Sequence, residues 1–253
     1  CQVFYYNSSL DITPSMAYGH STMLDQLLTE FTDVHIISGH THNNTTMKVR
    51  EGLMEHNTGG SCATWWWTGY YSNGHICKDG APGGMGVYEF RDTDLEWYYK
   101  GYGEPRDFQL RTYDMNNVKT FFANNSVIRN MIRYYPNRND YVNVGNNVVY
   151  INVWGWDPEW KVSVKENGVE LNPTRVYMKD PLHTYAYDAT RVYKNSNNTY
   201  TEVLTSSNNY HLFAANASSA TSTLTIEVTD RFGNKYTETM SRPKEFAAQI
   251  ENL

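Results

Sequence analysis

Apolar and polar positions follow two different periods in the first part of the chain. Gln2 to Tyr6 and Val34 to Ile37 are apolar runs that predict strands, the second one buried and ending at Gly39. Between them, apolar side chains recur at helical spacing and predict one helix, capped by Ser21 or Thr22, with its apolar face packed on the sheet. This face consists of Met23, Leu24, Leu27, Leu28 and Phe31. Strand, helix and strand together predict the last α/β unit of a larger sheet.

Two hairpins and two further short elements are predicted next. Met47 to Asn57 predicts one hairpin, and Gly86 to Phe90 with Leu95 to Tyr102 predicts another, closed by the polar residues 91–94. Asn116 to Asn125 predicts a short helix. Ser126 to Tyr135 predicts a short element whose type the pattern leaves open.

Beyond residue 141 the chain changes to short strands separated by turns. Asn167-Gly168 between two apolar runs is a strong hairpin signal. Such spacing predicts a small antiparallel sandwich of immunoglobulin-like architecture. We place a domain boundary at Gly103-Glu104-Pro105, giving domains 1–104 and 105–253, although Phe108 to Tyr113 could belong to the first. The predicted strands are Val148 to Trp154, Lys161 to Lys165, Val169 to Leu171, Thr174 to Tyr177, Tyr185 to Tyr187, Tyr210 to Ala214, Thr223 to Val228 and Lys235 to Met240.

Composition narrows the possible classes of protein. Hydrophobic residues make up 40% of the 253 residues and aromatic residues 15%, which is enough for a packed core and excludes wholesale disorder. The net charge of −6 argues against nucleic-acid binding by a broad basic surface. No segment approaches the roughly 20 apolar residues of a membrane span.

The candidate chemistry lies directly after the predicted strand at Val34 to Ile37. His40 and His42 are separated by one residue in a short loop, and neutral imidazoles bind transition metals. With this spacing they could share one metal or serve two adjacent ones. The alternative is that both are solvated loop histidines.

The same residues resemble a known family. Gly39-His40-Thr41-His42 matches the Gly-His-x-His motif of calcineurin-like metallophosphoesterases, and the blocks at 60–69 and 79–83 agree with it. Together they resemble the extracytoplasmic bacterial branch, which carries an extra C-terminal β domain. The resemblance implies an α+β, mostly β fold: a partial calcineurin-like α/β sandwich followed by the immunoglobulin-like antiparallel β-sandwich.

The resemblance also implies a function. Such enzymes hydrolyse phosphoric monoesters or diesters with two divalent metal ions, such as Mn, Fe or Zn, and a metal-bound hydroxide. By this resemblance His42 would ligate the first metal and His40 the second. The implied substrate is a phosphorylated small molecule or glycan, and the implied location is extracytoplasmic, either periplasmic or secreted.

Of the earlier motifs of the family, Gly-Asp-x-x-Asp and Gly-Asn-His-Asp or Glu do not occur in this chain, and the one Asp-x-His, Asp33-Val34-His35, lies just before the Gly-His-x-His motif rather than ahead of the other motifs. We therefore expect the C-terminal part of a longer enzyme, cut inside the catalytic domain, with the upstream half of that domain as its partner. Because the carboxylate ligands would lie there, we assign no catalytic residue here and expect this chain alone to be inactive. The rival interpretation of Cys1 is the lipidated first residue of a lipoprotein.

Ser61, Trp66 and Asp79 are the candidate substrate-binding residues. Three consecutive tryptophans, Trp65 to Trp67, cannot all face one core, so at least one is expected to be exposed or to line a pocket. A role in lining a pocket and a role in packing remain equal alternatives for these tryptophans. Cys62 and Cys77 could form a disulfide in an oxidising compartment or remain free thiols.

The alternative from another class is a noncatalytic extracytoplasmic binding module for carbohydrate or protein. Trp154, Trp156 and Trp160 could form an aromatic platform for a glycan. Packing within the core or between domains is the competing interpretation, because sandwich interiors use alternating aromatics.

Overall fold

The fold is mixed α+β and consists mostly of sheets, as a computed structural model shows. The structure describes residues 2–14, 20–66, 68, 74–195 and 204–247. Of the residues singled out above, Cys1, Trp67 and Gly69 lie outside these ranges. Within them, no helix is long and apolar enough to cross a membrane.

A three-stranded sheet forms the amino-terminal part. It contains β3 (Val34–Ser38), β4 (Thr45–Arg50) and β5 (Leu53–Asn57) in the order β3-β5-β4. β4 and β5 form the predicted hairpin, whereas β3 runs parallel to β5. The separate strands β1 (Phe4–Tyr6) and β2 (Ile12–Pro14) pair with each other.

The expectation that β3 is buried was wrong. Within the described residues β3 pairs on one side only, with β5, so it is an edge strand. Its side chains are half-buried, and Ile37 is 57% exposed. The apolar run therefore predicted a strand correctly. In the described part of the chain, however, this strand has one unpaired edge and an exposed apolar side chain.

Helix α1 (Ser21–Leu27), followed by a 3₁₀ turn at Leu28–Glu30, has the predicted position but not the predicted packing. Leu24 and Leu28 pack against the cluster that includes Leu53. The rest of the predicted core face is more than half exposed, because the helix has under two turns and lies beside an edge strand. Neither Ser21 nor Thr22 caps it: His20 occupies the N-cap position and makes no capping side-chain bond. The exposed members of the face are Met23, Leu27 and Phe31.

The second predicted hairpin is confirmed. β6 (Gly84–Arg91) and β7 (Asp94–Gly101) pair antiparallel in continuous register. Its inner face buries Trp97 and Tyr99, and Tyr99 joins the cluster that contains Trp154. This cluster extends across the predicted boundary near residue 104, and that boundary stays a prediction.

Two four-stranded antiparallel sheets make up most of the remaining chain. One has the order β12-β13-β9-β8 and the other β11-β10-β14-β15. Residues of both contribute to one apolar cluster, which includes Ile151, Phe213, Ile226 and Val228. The immunoglobulin-like class remains a prediction. The strands are β8 (Leu110–Asp114), β9 (Val148–Val153), β10 (Lys161–Glu166), β11 (Val169–Glu170), β12 (Thr174–Lys179), β13 (Asn208–Asn216), β14 (Leu224–Thr229) and β15 (Lys235–Met240).

Helices cover one side of the first of these sheets. α2 (Met115–Asn124) and α3 (Ser126–Tyr134) begin at Asp114 and Asn125, whose side chains accept hydrogen bonds from the first free amides. The element of open type at 126–135 is thus a helix, and the predicted helix at 116–125 is confirmed. Both helices pack into a cluster with Tyr141, Leu182 and Leu212.

The strand predicted at Tyr185 to Tyr187 was wrong. These residues lie in a helical segment made of α4 (Pro181–His183), a π-helical stretch (Thr184–Ala189) and α5 (Thr190–Asn195). Asp180 caps the segment by accepting from the His183 amide, and Pro181 occupies the first turn. The alternating Tyr-Ala-Tyr pattern misled the assignment because every residue of the π-helical stretch is buried.

The tryptophans proposed as a glycan platform mostly pack inside the protein. Trp154 is 1% exposed and Trp160 is 6% exposed. The Trp156 ring is half-buried and lies 4.6 Å from the Arg175 guanidinium. The packing interpretation is therefore confirmed for Trp154 and Trp160, which removes the platform.

Gly80 provides a test of how closely the loop around residue 80 packs against Asp180. It has φ +83°, and a Cβ placed there would overlap the Asp180 carboxylate. We expect Gly80→Ala to lower the free energy of unfolding by about 3 kcal/mol or more, measured by urea denaturation.

The matched control is Gly168→Ala. Gly168 has φ +81° but open space around it, so only the backbone strain of about 1 kcal/mol applies. Equal losses in the two variants would contradict the close fit of Gly80 against Asp180.

Candidate functional site

The loop that leaves β3 carries His40 and His42, and the adjacent β5 holds it in place. The Asn57 amide donates to Ser38 Oγ at 2.9 Å and to the Gly39 carbonyl at 3.2 Å, while Thr41 Oγ1 donates to Asn57 Oδ1. One side chain thus binds three successive parts of the turn. The loop's conformation is set by β5, which no local pattern could have shown.

Glu55 holds the start of the same turn through a hydrogen bond from Ser38. Its fully buried carboxylate accepts from Ser38 Oγ at 2.6 Å and from the amides of Val3 and Phe4 at 2.8 and 2.7 Å. Three donors satisfy a buried carboxylate whose desolvation would otherwise be costly. Glu55 therefore ties β1 to the end of β3.

His42 has a defined orientation. Its Nδ1 is hydrogen-bonded to the Ala63 carbonyl, and since a carbonyl only accepts, Nδ1 carries the proton. Nε2 is consequently the nitrogen with the free lone pair. Metal-binding histidines are typically oriented in this way, with the second ring nitrogen donating to a carbonyl or carboxylate.

The loop that supplies this carbonyl is strained. Ala63, Trp65 and Trp66 have φ values of +47°, +53° and +62°, and His40 and His42 have +83° and +60°. Non-glycine residues in this region each cost about 1 kcal/mol or more and cluster at functional sites. Five such residues in two contacting loops point to a site held by its surroundings.

The predicted site residues are brought together only in part. Ser61 and Trp66 are exposed and lie in the same loop as Ala63, whereas His40 is exposed in the other loop. Trp66 contacts His75 edge to face at 5.2 Å. These positions are compatible with the roles assigned, and the roles stay predictions.

Asp79 is buried, and both its carboxylate and its backbone carbonyl are engaged in hydrogen bonds within the protein. Its carboxylate accepts from the amides of Asn44 and, at 2.9 Å, Ala81, and lies 3.2 Å from His211 Nε2. Its carbonyl accepts from Asn152 Nδ2 at 2.6 Å and Asn209 Nδ2 at 2.8 Å. Asp79 thus fastens the site loops to β9 and β13, and its substrate role stays a prediction.

Trp65 and Lys78 are site residues that the sequence reasoning missed. The Trp65 ring lies 4.9 Å from the His42 ring, and Lys78 Nζ lies 5.0 Å from the centre of the Trp65 ring. The Lys78 amide donates to the His42 carbonyl at 3.0 Å. The tryptophan run gave a signal for Trp65, but nothing in the sequence distinguished Lys78 from other lysines.

The helical segment at 181–195 supports the tryptophan loop. Tyr187 lies 6.2 Å from Trp65 and stacks on His183 at 5.3 Å. Thr64 Oγ1 donates to the Ile76 carbonyl at 2.8 Å, so at 2.9 Å it accepts from His183 Nε2. Burial lowers the pKa of His183 to about 3, which keeps this ring neutral.

The cysteine alternatives are resolved. Cys62 and Cys77 are both free, and the free-thiol interpretation is confirmed. Cys77 is fully buried, with Sγ 3.6 Å from the Gly60 carbonyl, and burial raises the pKa of its thiol. Cys62 Sγ lies 3.9 Å from His42 Nδ1.

A comparison with known protein families decides the classification. The family described as the C terminal of calcineurin-like phosphoesterase matches residues 55–236. This chain belongs to that family. The match covers the tryptophan loop, Lys78, Asp79, the first four-stranded sheet and the second sheet up to the start of β15, and it begins after the loop that carries His40 and His42. No curated protein and no solved structure matches the chain.

Calcineurin-like phosphoesterases generally use divalent metals, and the residues present fit part of such a centre. His42 offers an oriented Nε2, and His40 lies two residues away in an exposed, strained turn. No group of three potential metal-binding side chains occurs among residues 2–14, 20–66, 68, 74–195 and 204–247. His40 and His42 would therefore hold metal only together with further donors.

A second histidine pair lies within the three-stranded sheet, on the neighbouring strands β3 and β5. His35 Nδ1 and His56 Nε2 are 2.8 Å apart, and both rings contact Trp97. His35 Nε2 also lies 3.2 Å from Asp33. His35 is thus a satisfied packing residue. Burial, with added repulsion from His35, lowers the pKa of His56 to about 3.

This pKa predicts a pH-dependent stability. Because the folded pKa of His56 lies below its ordinary 6.5, the unfolded chain binds more protons between these values, and stability is lost as pH falls below 6.5. Between pH 7.5 and 5, His56 contributes a loss of about 2 kcal/mol. The variant His56→Phe keeps an aromatic ring against Trp97. Its free energy of unfolding should therefore fall by about 2 kcal/mol less than that of the wild type between pH 7.5 and 5.

Urea denaturation at both pH values measures the difference. His20→Asn, at an exposed position, is the control and should retain the wild-type pH dependence. An unchanged pH dependence in His56→Phe would show that His56 does not resist protonation in the folded state.

Proposed function

We propose that this chain is the C-terminal part of an extracytoplasmic metal-dependent phosphoesterase. It would hydrolyse phosphoric monoesters or diesters of small molecules or glycans, with His40 and His42 as ligands of a two-metal centre of Mn, Fe, Zn or similar ions. The observation that carries the proposal is the Nδ1 bond from His42 to the Ala63 carbonyl. It leaves Nε2 with the free lone pair, at the contact of two strained loops of a phosphoesterase-family chain.

When bound, two divalent ions supply charge neutralisation at the phosphoryl group and a water of lowered pKa. The residues of this chain do the positioning. Asn57 fixes the turn through Ser38, Gly39 and Thr41, and Ala63 fixes the His42 tautomer. Trp65, whose ring lies tilted 4.9 Å from that of His42, would cover that side of the imidazole.

The remaining ligands would come from the amino-terminal half of the catalytic domain, added at the open edge of β3. Parallel strands are normally covered on both faces, yet among the residues that the structure describes β3 has an unpaired edge, and its Ile37 is exposed. A strand added parallel to β3 would bring its carboxyl end to the rim that carries His40 and His42. The exposed apolar residues Met23, Leu27 and Phe31 of the adjacent α1 region support an occupied surface there.

The proposal is tested with a protein that includes this amino-terminal half. In hydrolysis of a chromogenic phosphodiester and monoester with manganese, His42→Ala should lower turnover about 100-fold or more, since an oriented metal ligand is lost. His20→Ala removes an exposed imidazole elsewhere and should retain wild-type turnover. Full activity in His42→Ala would refute the assignment.

The 253-residue chain alone is expected to show no metal-dependent turnover, because two imidazoles without carboxylates cannot hold a dinuclear centre. The same assay, run across manganese, zinc and iron, measures this. Robust hydrolysis by the chain alone, abolished by a chelator, would show that a complete centre exists within it.

A further inference from the structure

Lys78 is a half-buried cation without an anionic partner among the described residues. Its pKa is lowered by burial, and no carboxylate oxygen in the described part of the chain lies within 4.0 Å of its Nζ. Other partly buried lysines have polar partners: Lys179 and Lys244 pair with Asp140 and Glu238 at 2.7 and 2.8 Å, and Lys100 and Lys119 donate to the carbonyls of Gly101 and Val144 at 3.0 and 2.8 Å. An ammonium group removed from water is stabilised by an anion, and none of the described residues supplies one to Lys78.

Lys78 is also fixed beside the candidate metal ligand. Its amide donates to the His42 carbonyl, and Asp79, the next residue, is bonded to β9 and β13. These hydrogen bonds hold the backbone at Lys78 in place, and its Nζ lies 5.0 Å from the centre of the Trp65 ring. An anion bound by Lys78 would be adjacent to His42.

The indole rings of Trp65 and Trp66 present exposed apolar surface, and that of Trp65 lies next to the cation. Trp65 is 50% exposed and Trp66 is 60% exposed, although neighbouring Ala63 and Thr64 are fully buried. The positive φ values of both tryptophans hold them out of the core at a cost in backbone strain. Exposed tryptophans beside a cation are suited to a ligand with a flat face and a negative charge.

We propose that Lys78, Trp65 and Trp66 form the subsite for the organic part and the non-bridging phosphoryl oxygen of the substrate. Lys78 binds the phosphoryl oxygen as a point charge, and the indole faces bind a flat aromatic group esterified to the phosphate. This inference rests on the proposed function, since it places the phosphoryl group next to His42. It assigns the substrate class as a phosphate ester with a planar aromatic group.

Binding is tested by calorimetry on the 253-residue chain with EDTA, so that no metal contributes. Phenyl phosphate should bind more tightly than either inorganic phosphate or benzyl alcohol, because it alone uses both halves of the subsite. Lys78→Met should lower the phenyl phosphate affinity at least tenfold and leave that for benzyl alcohol unchanged. Lys161→Met, the same change at an exposed residue of β10, is the control.

Trp66→Leu is the second variant, and it should weaken phenyl phosphate more than inorganic phosphate. Adenosine 5′-monophosphate and glucose 1-phosphate then separate a base from a sugar ring, and the proposal requires the nucleotide to bind more tightly. Unchanged phenyl phosphate affinity in Lys78→Met, or equal binding of the two natural esters, would overturn the proposal.

Failure of this inference can be told apart from failure of the proposed function. The binding assay needs no metal, whereas the hydrolysis assay depends on His42. If binding depends on Lys78 but the His42→Ala enzyme is active, the subsite proposal stands and the metal assignment is refuted. Lys78-independent binding with an inactive His42→Ala enzyme would refute the subsite alone.

Discussion

The buried hydrogen bonds of Asp79 are the constraint on which the site depends. Its carboxylate accepts from the Asn44 amide, two residues beyond His42, and its carbonyl accepts from side chains of β9 and β13. One residue therefore joins the histidine loop, the tryptophan-loop region and the first four-stranded sheet. Removing a partner from such a network leaves buried polar groups without hydrogen bonds, at a cost of about 1–3 kcal/mol each.

A second buried carboxylate, Asp180, continues this network on the sheet side. It accepts from Tyr113 Oη at 2.7 Å and Asn152 Nδ2 at 2.9 Å, and it caps the helical segment that supports Trp65 through Tyr187. Burial raises the pKa of Asp180, while the nearby Arg111 opposes this effect. The β-rich part of the chain thus supports the strained loops, which local interactions alone would not hold.

The local sequence pattern was sufficient to predict hairpins, whose two paired strands are adjacent in sequence. The alternation in β6 and β7 and the Asn167-Gly168 turn both predicted the observed hairpins, because each depends on adjacent residues. Tyr185 to Tyr187 was mistaken for a strand because a fully buried helix shows no amphipathic period. The exposure of Ile37 could not be read from sequence either, since it depends on whether β3 has a second neighbour.

The candidate site was only partly predictable for the same reason. The Gly-His-x-His motif identified His40 and His42, but the contact that orients His42 joins residues 21 positions apart in sequence. Trp66 was chosen from the tryptophan run, whereas the ring that touches His42 belongs to Trp65. Lys78 became apparent only from its position and its lack of a counter-ion among the described residues.

The central claim, that His42 presents Nε2 to a metal between the two loops, is tested most directly by paramagnetic mapping. Mn²⁺ is titrated into ¹⁵N-labelled protein that includes the amino-terminal half of the catalytic domain, and the broadening of each amide resonance is followed. The account predicts that residues 39–43 and 60–66 broaden first and that His42→Ala abolishes this pattern. Broadening confined to other parts of the chain, or unaffected by His42→Ala, would contradict it.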